Sequence, residues 1–365
     1  MPSSIFNFKR TIPDQPWTRL MWVTVLLTLG AAVAWEIRCR AWGYAPTLND
    51  TPDLWADRRN AVQPDSLVII GDSRAWFDLD LDEIEQGLGR RPVQLAIPGS
   101  CAYPVLADLA DDPNFHGTVV CSVVPALFFA PAGPPLQNSL DAINRRHSRT
   151  VAQRASSELG MLLEEHIAFL KQDDLTLDAL LSKVPLPERA GVRLPPLLPP
   201  YFATVDRDRR ARMFTLCAQP GPLQDRVENG WIPLFTPPPP PTYVPREAFM
   251  TGVNRAIQSR FSDAAAAVHR IQTRGGKVVF LRLPMSGPLK QLEDRATPRA
   301  GPWNQLLKLS AAPGIYFEDY PELASFVCPE WSHLSEADSI LFTHRLIPHL
   351  RKALEGSVAV ALPPA

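Results

Sequence analysis

Four apolar residues in a row, Leu67-Val68-Ile69-Ile70, stop at Gly71-Asp72-Ser73 and give way to a fresh helical pattern. A short unbroken apolar run between turn signals reads as a strand buried on both faces, the form strands take in parallel sheets. The rhythm then repeats. Residues 79–88 predict a short helix, with Asp80, Asp82 and Glu83 in its first turn where carboxylates suit the helix dipole. Together with Asp78 these acids read as a solvated helix start rather than a cation site. Residues 92–97 predict a second strand closed by Pro98-Gly99-Ser100, with a helix around 105–110, and residues 119–124 a third strand closed by Pro125. After a long interruption come a helix over 249–273 stopped by Gly275-Gly276, a fourth strand over 278–283 and a fifth over 314–317. Ser335 opens the last helix, with Asp338 three residues on in a capping-box-like arrangement and Ile340, Leu341, Ile347 and Leu350 on its apolar face. Strands separated by helical stretches indicate βαβ units, hence an α/β domain on a mostly parallel five-stranded sheet.

Two stretches depart from this rhythm. Residues 20–35 carry no charge and are largely apolar; at 16 residues they fall slightly short of the ~17–25 that span a bilayer. Trp17 and Thr18, with Arg19 snorkelling to the interface, bring the run into range, and Trp17, Trp22 and Trp35 sit near its ends, where amphipathic rings favour the headgroup level. The expectation is an uncleaved transmembrane signal anchor behind an N-terminal segment (1–19). A signal peptide cleaved after Ala32-Val33-Ala34 and a soluble core helix are the competing readings. Either membrane reading exports the rest of the chain, giving a single-pass protein with an extracytoplasmic main domain. Residues 36–64, rich in Trp and Arg, read as a juxtamembrane connector to a domain over 65–355, followed by a tail over 356–365. The second departure lies in the middle. Residues 140–181 look helical, and 185–245 then hold 15 of the 39 prolines, including the run 237–241. Each proline removes a backbone donor and fixes φ, which excludes a central strand or long helix. This insertion reads as an extended surface loop, or as a lid or partner-binding segment beside the site.

Composition narrows the classes. The chain has 365 residues, 45% of them hydrophobic, enough for a sizeable core, and a net charge of −1. Balanced charge without a basic stripe argues against nucleic acid as a partner. The five cysteines (Cys39, Cys101, Cys121, Cys217, Cys328) form no CxxC pair and read as buried structural thiols. Cys328 and His333 lack further partners at metal-ligand spacing, so neither a metal nor another cofactor is expected.

The chemistry lies at two points far apart in the chain. Ser73 follows a strand end, the edge where open α/β sheets build their sites. A serine needs an adjacent base to act as a nucleophile, and His333, just before the last helix, supplies one; Glu330, three residues earlier, is placed to hold its tautomer. Asp319 is the fallback acid. The plainer alternatives are a turn role for Ser73 and a helix-capping role for His333, with His344 and His349 as surface or packing residues. Asp72 reads as a turn-shaping residue that accepts backbone amides.

On these residues the chain resembles the SGNH (GDSL-type) hydrolases, closest to bacterial membrane-anchored SGNH-like members. Gly71-Asp72-Ser73 resembles the first family block, Gly99 in Leu95-Ala96-Ile97-Pro98-Gly99 the oxyanion glycine, and Glu330 to His333 the last block, with glutamate in place of aspartate. The resemblance spans about residues 65–350, apart from the insertion. It implies a flavodoxin-like three-layer α/β/α fold and a serine esterase or O-acyltransferase acting on acyl esters of an envelope or exported polysaccharide. Catalysis would fall to Ser73, His333 and Glu330, with an oxyanion hole from the Ser73 and Gly99 amides. The family's Gly-x-Asn-Asp block is missing: Val123-Val124-Pro125-Ala126 stands there, which makes Arg74 and Arg282 candidate replacement donors. Its absence also leaves open a non-catalytic, membrane-anchored binding module with an envelope protein partner.

Overall fold

The structure, a computed structural model, describes residues 15–171, 175, 177–182, 184, 199, 202–235 and 243–356. Its centre is a five-stranded parallel sheet made of β1 (Leu67–Ile70), β2 (Val93–Gln94), β3 (Thr118–Ser122), β6 (Lys277–Arg282) and β7 (Gly314–Tyr316), in the order β2-β1-β3-β6-β7. Every residue of β1 and β3 is buried, as their apolar runs require. Leu67 to Ile70 lie opposite Thr118 to Cys121, and β2 is extended past its two residues by Leu95 N–H to Ile69 O (2.8 Å) and Ile97 N–H to Gly71 O (3.0 Å). The chain leaves β1 for β2 on one side and returns as β3 on the other. The crevice at the carboxyl ends of β1 and β3 is therefore the switch point where such sheets bind ligands. Gly71 shapes its floor. A Cβ there would lie 2.8 Å from the Cβ atoms of both Ala75 and Ser122, so only glycine lets the strand end and the following helix approach this closely.

The helices are α1 (Trp17–Ala41), α2 (Pro52–Asn60), α3 (Ser73–Asp78), α4 (Leu81–Leu88), α5 (Tyr103–Asp111), α6 (Pro125–Phe128), α7 (Pro134–Ser148), α8 (Val151–Glu164), α9 (Leu177–Ser182), α10 (Thr215–Ala218), α11 (Pro222–Trp231), α12 (Arg246–Thr273), α13 (Gly287–Ala296), α14 (Pro302–Ser310), α15 (Pro321–Ala324) and α16 (Glu336–Glu355). Among them α12 packs against β6, α5 and α14, α16 against β6, β7, α3 and α4, and α2 against α7. Ser335 caps α16, its side chain accepting the Asp338 amide, so the alternative of His333 as that helix's cap does not hold.

Several expectations need correction. The N-terminal helix runs from Trp17 to Ala41, longer than the expected 20–35, because Glu36 and Arg40 pair with each other and hold its last turns against residues 166–169. The expected connector is partly core: Leu54, Trp55 and Ala56 of α2 are buried, and Trp55 Nε1 donates to Leu95 O at 3.0 Å. The helical stretch over 140–181 is broken at Arg149-Thr150, where Thr150 starts α8 through a reciprocal capping box with Gln153. The proline-rich insertion is not simply an extended surface loop. Within it β4 (Ala203–Val205) pairs antiparallel with β5 (Ala211–Met213), and Phe202, Cys217 and Val227 are buried. Residues 185–198 and the proline run at 237–241 lie outside the described residues. Asp78 and Asp80 are buried rather than solvated. Asp80 caps α4 through the Asp82 and Glu83 amides (both 3.0 Å) and pairs with Arg210. All five cysteines are free and buried. Among the described residues α1 is the one helix long and apolar enough to cross a membrane.

Candidate active site

Ser73 is the first residue of α3, directly behind the carboxyl end of β1. The Asp72 carboxylate, as N-cap, accepts the Arg74 amide at 2.8 Å, which fixes the turn and offers the Ser73 hydroxyl at the sheet edge. The Ser73 amide, at the start of the helix, belongs to the first turn whose N–H groups have no intrahelical acceptor. Burial pushes the Asp72 carboxyl above its usual range, while the Arg74 guanidinium and amide resist that rise.

His333 is brought to the same edge by the loop between β7 and α16. Its Nδ1 lies 2.9 Å from Glu330 Oε1, and the same oxygen accepts the His333 backbone N–H at 2.5 Å. The second carboxylate oxygen accepts Trp231 Nε1–H at 2.7 Å. A carboxylate with both oxygens occupied by donors calls for Nδ1–H on the imidazole, which leaves the lone pair on Nε2. That Nε2 is buried and makes no hydrogen bond, to Ser73 or any other described residue. Phe77, Phe202 and Trp231 enclose the ring, with centroid separations of 4.5, 5.7 and 5.9 Å.

Ser73, His333, Gly99, Asp72 and Arg74 all line one cavity of about 1130 Å³. Glu330 stands behind His333, fully buried. Gly99, at φ +64° in the loop after β2, is exposed on the cavity rim. Where the resembled family carries its Gly-x-Asn-Asp block, Val124, Ala126 and Leu127 form an apolar wall. Asp319 pairs with Arg299 at 2.5 and 2.6 Å on the exposed surface, so the fallback acid is not the partner of His333.

Arg74 and Arg282 are not free donors. Both clamp Glu293, which lies between them, and Arg282 Nη1 also donates to Val123 O at 3.2 Å. Burial pushes the Glu293 carboxyl up, but the two guanidiniums outweigh it and hold it at about 2. Arg74 Nε reaches Ser332 Oγ at 3.5 Å, tying the serine helix to the histidine loop. A second tie is Asp78, whose Oδ1 accepts the Leu334 amide at 2.8 Å while Oδ2 has no partner. Burial raises its carboxyl well above the usual range, against the pull of that amide and of Arg74, and so favours the neutral acid.

Sequence reasoning missed Trp231, Glu293, Phe77 and Phe202. The Trp76-Phe77 pair three and four residues after Ser73 was a usable signal, since that spacing returns to the same side of a helix. Trp231 and Glu293 carried none. Among the described residues no group of three or more His, Cys, Asp or Glu is placed to hold a metal ion. The chain matches no family model, no curated protein and no solved structure.

Proposed function

We propose that this protein is a serine esterase or O-acyltransferase of SGNH-like design, with a flavodoxin-like three-layer arrangement of its sheet and helices. The observation that carries the reading is the unpartnered Nε2 of His333, buried on the same cavity wall as the Ser73 hydroxyl, with Nδ1 held by Glu330. A buried polar atom without a partner costs stability, and such an atom on a cavity wall is best explained by a ligand or reaction that uses it.

In the forward reaction His333 Nε2 takes the Ser73 proton as Oγ bonds to the acyl carbon, and Glu330 stabilises the imidazolium. The negative charge on the former carbonyl oxygen falls to the amides of Ser73 and Gly99. Collapse breaks the acyl–oxygen bond, and the leaving alkoxide takes the proton from Nε2. Water or a carbohydrate hydroxyl then attacks the acyl-enzyme, giving its proton to Nε2, and Ser73 recovers that proton as it leaves. The acceptor decides between hydrolysis and transfer. Neither Arg74 nor Arg282 is assigned to the oxyanion, because Glu293 holds both. With α1 as a signal anchor, the domain would work outside the cytoplasm on acyl esters of the envelope. The test is labelling with a fluorophosphonate, which forms a stable adduct only with an activated serine.

One observation favours a second reading, a binding module without catalysis. The apolar wall of Val124, Ala126 and Leu127 offers no side-chain donor where the resembled family places its asparagine. On that reading an envelope partner is captured by a Ser73→Ala variant as well as by the native protein, and the fluorophosphonate leaves Ser73 unmodified.

A further inference from the structure

The cavity joining Ser73 to His333 is much larger than the reacting atoms need. Ligand sites of about 300–1,000 Å³ usually combine apolar walls with a few placed polar groups, and this one, at about 1130 Å³, has that character in an extreme form. Its buried wall is built from Trp55, Trp76, Phe77, Phe202 and Leu289. The two guanidiniums on the wall are already paired. Arg209 is paired fork to fork with Asp50 (2.7 and 2.8 Å), and Arg74 is paired with Glu293. Among the described lining residues, two buried side-chain atoms lack a partner: His333 Nε2 and Trp76 Nε1. Polar, exposed lining residues, Asn138 and Asp141, lie at the rim.

Such a cavity matches a ligand with few polar atoms at one end and a long apolar remainder. A sugar ring in the interior would bring several hydroxyls with too few partners, and each buried unpaired hydroxyl is costly. An acetyl group would touch only a small part of the wall. The position of the cavity agrees. Asp50 and Thr51 on its wall follow shortly after the end of α1, and the last turns of α1 are fixed to the domain. Arg40 Nη2 donates to His166 O at 3.0 Å, and Glu36 accepts the Ala168 and Phe169 amides at 3.0 and 3.1 Å. The cavity is thus tethered close to α1, which among the described residues is the one helix suited to a bilayer, where long acyl chains reside.

Resting on the serine-esterase reading above, we infer that the cavity binds the apolar chain of a medium- to long-chain fatty acyl ester, with the alcohol or acceptor part at the Asn138–Asp141 rim. Ser73 Oγ bonds to the acyl carbon, the ester oxygen leaves as the alcohol with the proton from His333, and the fatty acyl chain stays in the cavity until water or an acceptor hydroxyl removes it.

The experiment has two arms on the full chain in detergent. In the first, hydrolysis of p-nitrophenyl acetate, butyrate, octanoate and dodecanoate is measured beside fluorophosphonate labelling of Ser73. Burial of each methylene in an apolar wall corresponds to about three- to fourfold, and octanoate has six more than acetate, so kcat/KM is expected to rise by on the order of 10³ from acetate to octanoate. In the second arm, binding of dodecanoate to the Ser73→Ala variant is read by fluorescence of the cavity tryptophans, with acetate as control. Saturable dodecanoate binding without acetate binding supports the inference even if Ser73 never labels, a result that would sink only the catalytic reading. Labelling of Ser73 with acetate hydrolysed as well as octanoate, or no dodecanoate binding to the variant, overturns the inference.

Discussion

Glu293 is the single side chain on which two buried cations depend. Arg74, next to Ser73, and Arg282, at the end of β6, share its carboxylate. Removing one member of a buried ion-pair cluster leaves uncompensated charge, at a cost of about 3–5 kcal/mol. Glu293→Gln should therefore lower the unfolding free energy, read from urea titrations, by that order, and should disturb the site through Arg74. The pH dependence has a definite sign. The folded state depresses this carboxyl from its ordinary 4.5 to about 2, so its stabilisation is complete above the unfolded value and is lost as pH falls through the folded one. Stability of the native chain should decline across that acid window, and Glu293→Gln should lack this part of the decline. An unchanged acid limb in the variant would contradict the assignment. Residues were legible in the sequence where the chemistry is local. Ser73 sits in a strand-end turn, and Glu330 and His333 are three apart. Glu293 lies 219 residues from Arg74 and Trp231 lies 99 from Glu330, so only tertiary packing discloses them.

At the scale of elements, the segment described over 202–235 acts as a wall of the site rather than as a detachable cover. α11 places Trp231 on Glu330 and His333, and Gln224 of the same helix donates to Pro329 O at 2.9 Å. Trp231→Phe keeps the ring and removes the donor. A hydrogen bond to a charged group is worth about 1.5–3 kcal/mol, so fluorophosphonate labelling of Ser73 should slow by on the order of 10- to 100-fold. The effect should nearly vanish in a Glu330→Ala background, since the lost bond is then already gone. Equal slowing in both backgrounds would mean that Trp231 acts only through packing. The five strands of the sheet were legible because each lies in or beside a short apolar run, although β2 covers only Val93–Gln94 of the expected 92–97. The β4–β5 hairpin was not, since each of its strands is three residues long and the prolines around it mask the alternation. α2, α13 and α14 went unread as well; each begins with a proline or glycine that in sequence looks like a break, yet suits a first helical turn.

For the whole molecule, the organising relation is between α1 and the cavity. A helix of 25 residues, long and apolar enough to cross a membrane, leads into buried residues 47–49 and then onto the cavity wall. If α1 spans a bilayer, the full chain should stay with the membrane fraction through an alkaline carbonate wash and enter solution only with detergent. Release by carbonate alone would count against the anchor. That a helix would form over 20–35 was legible from its unbroken apolar run, but its continuation to Ala41 was not. Its seating on the domain was not, because Glu36 and Arg40 read as flanking charges until their partners at 166–169 are known.

The central claim is that Ser73 is an activated nucleophile served by His333. Its most direct measurement is mass spectrometry of the intact, detergent-solubilised protein after fluorophosphonate treatment. The predicted result is a single adduct on Ser73, absent in Ser73→Ala and slowed by several orders of magnitude in His333→Ala. A folded native protein with no adduct on Ser73, or an adduct that forms equally fast without His333, would contradict it.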